Sequence, residues 1–113
     1  MTQPLVRDDG TVVMTDEKGY LLEFSDWSES IAVQMAQRDA IELTADHWAI
    51  ISFFRDWFER YEIEPPMRAL ARWSKETLGE ENGGSLYLYR LFPEGPVIQA
   101  SRYGGLPRPV SCI

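Results

Sequence analysis

The sequence predicts a mainly α fold of the α+β class: a small N-terminal β-hairpin or three-stranded meander, packed on a bundle of about five helices and followed by a flexible C-terminal arm. Three observations predict it. β-prone runs gather in the first 24 positions, where turn chemistry interrupts them twice. Apolar residues beyond position 28 recur at three- and four-residue spacing. Proline and glycine then punctuate the rest of the chain, up to a tail of unusual composition. At 113 residues the chain supports one domain with one core, read as a hairpin region over about 1–24, a helical region over 28–103 and an arm over 104–113.

Leu5 to Arg7, Thr11 to Met14 and Tyr20 to Phe24 are the short β-prone runs, separated by Asp8-Asp9-Gly10 and Asp16-Glu17-Lys18-Gly19. A sheet this small must pack on helices. Ser28 is the expected N-cap of a helix to about Arg38 that buries Ile31, Met35 and the nearby alanines. Thr44 caps the next, with Asp46 in its first turn. Its stripe of Trp48, Ile50, Ile51, Phe54, Trp57, Phe58 and Tyr61 defines a wide apolar face, read as core packing. Pro65-Pro66 ends that region, with Pro66 in the first turn of a helix from Met67 to Leu78 that stops at Gly79. After the Asn82-Gly83-Gly84 loop, Ser85 is expected to cap a short helix, Leu86 to Phe92, whose inner face holds Leu86, Tyr89 or Arg90, and the terminal apolar pair Leu91-Phe92. Pro96 opens the last helix, which runs to about Tyr103 and closes at Gly104.

The formal net charge of −7 argues against general nucleic-acid binding, which draws its affinity from neutralising phosphates. Residues 1–66 hold five Lys/Arg against fourteen Asp/Glu, and residues 67–113 hold six against four, so the two parts carry −9 and +2. The basic end favours an acidic protein partner or an anionic substrate near the tail. No apolar run approaches a membrane span, and the first nine residues are nothing like a signal peptide. The expected compartment is the cytoplasm, with no membrane partner.

His47 is the lone histidine. One Cys and one His cannot supply a structural zinc site, so neither a metal nor a cofactor is expected. His47 itself reads as a partly exposed residue at a helix start. Arg68, Arg72 and Lys75 share one helix face and carry a weak helix-turn-helix signal, which the acidic part of the molecule opposes.

Cys112 stands apart because of its setting. It is the only cysteine, one position from the last residue. Gly104-Gly105 reads as a backbone pivot, and Pro107 and Pro109 bias the segment beyond it toward extended polyproline geometry, giving roughly 20 Å of reach from Gly105. A free thiol titrates at about 8.5. A carboxyl terminus nearby raises that value, and Arg102 and Arg108 are placed to oppose it.

The stretch Tyr87-Leu88-Tyr89-Arg90-Leu91-Phe92-Pro93-Glu94-Gly95-Pro96, then Gly104-Gly105-Leu106-Pro107-Arg108-Pro109 and the penultimate Cys112, resembles the TusE/DsrC/DsvC family of small sulfur-relay proteins. Gly19 to Leu21, Trp27-Ser28-Glu29 and Asp46-His47-Trp48 resemble it too. The resemblance implies a helical domain with a small hairpin, in which Cys112 takes up sulfur as a persulfide and hands it on. Arg102, Gly104, Gly105, Pro107, Arg108 and Pro109 would support the arm or dock a partner. The family divides by a second cysteine eleven positions earlier, where this chain has Ser101. A bridge between two thiols is then ruled out, and the TusE-like branch remains: sulfur arrives from a TusBCD-like complex and leaves toward a tRNA thiolase making 2-thiouridine at the wobble position. The alternatives are an accessory subunit or regulator of a sulfite reductase-type complex and, on the Arg68 face alone, a DNA-binding regulator. The family tail often reads Lys-Ile-Ala-Gly where this chain has Arg102-Tyr103-Gly104-Gly105.

Overall fold

Two hydroxyl side chains start the main helices, as expected of residues that can satisfy an unpaired backbone N–H at a helix end. Ser28 accepts from the Ile31 N–H and opens α1 (Glu29–Arg38), and Thr44 accepts from the His47 N–H and opens α2 (Ala45–Tyr61). The structure, a computed structural model that describes residues 4–79 and 84–108, continues through α3 (Met67–Leu78), α4 (Ser85–Leu91) and α5 (Pro96–Tyr103). Pro66 is the N-cap of α3. Gly84 is the N-cap of α4, so Ser85 is its first helical residue and not the cap. Pro109 and Cys112, both expected to act in the arm, lie outside the described residues.

The N-terminal sheet is a two-stranded hairpin. β1 (Leu5–Val6) runs antiparallel to β2 (Val12–Val13), with Leu5 opposite Val13 and Val6 opposite Val12. The third β-prone run yields only the bridge between Thr15 and Leu21, after which Phe24–Asp26 form one 3-10 turn. Tyr20 and Leu21 are both buried, which a strand with one solvated face cannot accommodate, because successive side chains point to opposite faces.

The helices meet on α5, which packs against α1, α2 and α4, while β1 covers α1. Ile31, Ala32, Met35 and Ala36 of α1 are buried as their spacing demands, and Ile50, Ile51 and Phe54 of α2 face them in one core with Leu70, Leu88, Phe92, Ala100 and Tyr103. Burial fades toward the end of α2, where Tyr61 is exposed and leans on Trp57 with ring centroids 4.7 Å apart. In α4 the inner residue is Leu88, whereas Leu86 and Tyr89 are exposed. That seven-residue helix is oriented by the buried Phe92 just beyond it and by the Tyr87 hydroxyl, which donates to Asp46.

Candidate functional site: the root of the C-terminal arm

The end of α5 is a six-residue device. Gly104 is the C-cap, Gly105 takes φ +77°, the Leu106 N–H donates to the Ser101 carbonyl at 2.9 Å, and the Gly105 N–H donates to the Arg102 carbonyl at 3.1 Å. This pair of reverse bonds is the Schellman arrangement. The residue after the left-handed glycine is characteristically apolar and packs back on the helix. Leu106 does so and is fully buried. The Gly104-Gly105 pair is therefore not a free pivot: it lies inside the body, and the exposed chain resumes at Pro107. Gly-Gly-Leu after a helix was the available signal, since an apolar residue there marks a cap and a polar one would mark a linker.

Two side chains far away in sequence hold this cap. The Trp27 indole N–H donates to the Tyr103 carbonyl at 2.6 Å, and Arg55 donates to the Gly104 carbonyl at 2.6 Å, so two carbonyls that a helix end leaves unpaired are satisfied. The Arg55 guanidinium sits 3.9 Å from the Phe24 ring centroid and 4.0 Å from that of Trp27. A planar cation between two aromatic faces is favoured by both. Burial lowers the Arg55 pKa, Glu59 and Asp56 oppose that, and the group stays charged at neutral pH. A Cβ on Gly105 would lie 2.8 Å from Trp27 Cδ1, so only glycine fits beneath the indole.

Arg102 and Arg108, expected to oppose the effect of the carboxyl terminus on the thiol, are each paired with carboxylates of the body. Arg102 pairs with Asp39 at 3.2 Å and approaches Glu94 at 3.8 Å. Tyr103 donates its hydroxyl to the same Asp39 and receives a hydrogen bond from Gln99 at 3.2 Å. Burial first and Asp39 second push the Tyr103 pKa well up. Arg108 reaches the turn between the bridged residues Thr15 and Leu21, 2.6 Å from Glu17 and 3.2 Å from Asp16. Its hydrogen bond holds Glu17 below the usual carboxylate range. Burial alone would raise Asp16, but the Tyr20 and Lys18 N–H groups and Arg108 outweigh it and lower its pKa. Between this turn, the end of α1 and Arg102 lies a cleft of about 310 Å³.

Ser101 is fully buried, and its hydroxyl has no hydrogen-bond partner among the described residues. His47 is buried, not partly exposed. Its Nδ1 accepts from the Thr44 N–H at 3.0 Å and its Nε2 lies 2.8 Å from the Leu91 carbonyl, so it is a cap residue that fastens α2 to the end of α4. Arg68 and Arg72 border an open groove with Phe53, Trp57 and Trp73, away from the arm's root. Among the described residues no group of three or more His, Cys, Asp or Glu could hold a metal, and no helix is long and apolar enough to cross a membrane. Trp27, Arg55, Phe24 and Asp39 escape a reading of the sequence, because nothing in their local spacing shows that they converge on residues 103–106.

Comparison with known proteins bears on this arrangement. A family model described as DsrC like protein matches residues 8–113. The sulfurtransferase TusE of Shigella dysenteriae is 46% identical over 105 residues, covering 93% of this chain and 96% of its own. TusE of Escherichia coli is 45% identical with the same coverage. Among solved structures, the NMR structure of Allochromatium vinosum DsrC matches with a TM-score of 0.86 and 44% identity, each chain being covered completely. The oxidized gamma-subunit of the dissimilatory sulfite reductase (DsrC) from Archaeoglobus fulgidus matches with a TM-score of 0.85 and 36% identity over 97% of this chain and 100% of that one.

Proposed function

The chain belongs to the DsrC-like protein family, and from that membership we propose that it is a sulfur carrier in a relay, with Cys112 as the persulfide-forming residue. The Cys112 thiolate attacks the outer sulfur of a donor persulfide, the donor thiolate leaves, and Cys112 holds one sulfane sulfur with no net oxidation. An acceptor thiolate then attacks that outer sulfur and regenerates the Cys112 thiolate. The donor is a TusBCD-like complex and the acceptor a tRNA thiolase that makes 2-thiouridine at the wobble position. No nucleic acid is handled by the chain itself, no cofactor takes part, and the reaction belongs to the cytoplasm. The observation that carries this reading is the single cysteine just past a locked helix cap, in a chain 46% identical to a sulfurtransferase.

A second reading, an accessory subunit of a sulfite reductase-type complex, draws on the γ-subunit among the structural relatives. Ser101 weighs against it, because a hydroxyl cannot close a disulfide or trisulfide with Cys112. Incubation with sulfur-loaded donor followed by intact mass measurement tests the carrier. Wild type is expected to gain one sulfur, about 32 Da, and Cys112→Ser to gain nothing. An equal gain on the variant would remove Cys112 from the chemistry.

A further inference from the structure

The hairpin has an outer face that its own fold leaves bare. Leu5 and Val13 point into the core, so Val6 and Val12, each one residue along and opposite each other, point out. Met14 shares that face with Val12. The Thr15–Leu21 bridge places Leu22 opposite Met14, and the Leu22 N–H meets the Met14 carbonyl at 3.4 Å. The result is a row of four apolar side chains on the outer side of the hairpin and the bridge that continues it, between 38% and 65% exposed. Single exposed apolar residues need no explanation, whereas a contiguous set on a solvated sheet face marks a contact surface.

Its border is acidic. Asp8 and Asp9 lie in the β1–β2 turn, Asp16 and Glu17 in the next turn and Glu23 beyond the bridge; against them stand Lys18 and two paired arginines, Arg7 with Asp26 at 3.7 Å and Arg108 with Asp16 and Glu17, so acidic groups remain in excess. Two copies meeting through this face would bring like borders together, which works against a second copy as the occupant. The face also adjoins the exit of the arm, because Arg108 is tied to Asp16 and Glu17 in the turn between the bridged residues Thr15 and Leu21. Cys112 lies four residues after Arg108, a span of at most about 14 Å. Any protein that takes the thiol into a cleft must come within that distance of the turn.

We propose that this hairpin face is the docking surface for the protein that donates sulfur to Cys112, and that the matching patch on that partner is apolar and bordered by Lys and Arg. The proposal rests on the carrier reading and adds where the partner sits. The apolar row supplies contact area, and the acidic border speeds and orients encounter.

The test uses Met14→Glu and Leu22→Glu in the full chain, with Val33→Glu on α1 as a control at another exposed valine. Purified TusBCD-type complex is the protein probe, and inorganic polysulfide is a small-molecule probe that loads the thiol without docking. Circular dichroism first establishes that the three variants are folded. The expected result is at least tenfold weaker binding of the complex by each hairpin variant, with the control equal to wild type and loading from polysulfide unchanged. Binding by wild type should weaken as salt is raised. Wild type that takes sulfur from the complex while both hairpin variants bind it equally well would overturn the docking surface and leave the carrier reading standing. A wild type that accepts no sulfur from the complex and does not bind it would overturn both. Concentration-dependent dimers of wild type that the hairpin variants abolish would assign the face to a second copy and also overturn the proposal.

Discussion

Gly105 shows how much one missing methyl group can decide. Its φ of +77° disfavours any side chain, and the indole of Trp27 fills the space a Cβ would need. Gly105→Ala is expected to destabilise the fold by about 1–3 kcal/mol, since strain and clash act together. Thermal or denaturant unfolding measures it, and an unchanged midpoint would mean that the cap is not packed as described. Tyr103 is the polar counterpart. Tyr103→Phe deprives Asp39 of a buried donor, at a cost of about 1–3 kcal/mol near neutral pH. The sign of its pH dependence comes from its raised pKa: the folded state keeps a proton that the unfolded chain releases above about 10, so stability contributed by the phenol is present below that pH and declines as pH rises past it. Stability of Tyr103→Phe should therefore fall less steeply than wild type in alkali, as read from unfolding curves at successive pH values.

At the scale of elements, the helix starts are legible in the sequence because caps are local. Ser28 and Thr44 sit beside the N–H groups they satisfy, and the apolar stripes of α1 and the first part of α2 reflect a period of 3.6. The end of α5 at Gly104 is legible too, but the locking of the glycine pair that follows it is not, for the complementary reason. Gly104-Gly105 has the composition of a linker, and it becomes a cap through Trp27, Arg55 and the buried Leu106, a convergence that depends on tertiary structure. Amide exchange is the direct check: the Leu106 N–H is expected to be protected together with α5, and exchange as fast as in an exposed loop would restore the pivot. Arg55→Gln and Trp27→Phe should each speed that exchange, since each removes a hydrogen bond or a stacking partner from the cap. The outer fastening is of a different kind. Asp16 and Glu17 have lowered pKa values, so their contribution is present above the ordinary carboxylate range of about 4 and is lost as pH falls through it. Acid or high salt should therefore release Arg108 while the cap, which rests on backbone bonds and packing, persists. Side-chain NMR shifts of Arg108 measured alongside the Leu106 amide separate the two.

For the whole molecule, a thiol tethered at Arg108 samples a smaller volume than one swinging from Gly105. A nitroxide attached to Cys112, the single native thiol, should broaden resonances of the Asp16 to Gly19 turn most strongly; broadening centred on Arg68 and Arg72 would contradict the short tether. The composition leads to the expectation of a reactive end, but it cannot reveal this restriction, which is set by contacts between residues 16 and 108 or 55 and 104. The position of α5 has a consequence for how the chain acquires its shape. Its main partners are α1 and α2, and residues 39–95 lie between the end of α1 and the start of α5. Helical proteins fold fast when neighbours in sequence are neighbours in space, whereas contacts across a long loop must first meet the entropy of closing it. This domain should therefore fold at the pace of mixed α/β domains, with α1 and α2 waiting on the arrival of a helix that lies much later in the chain.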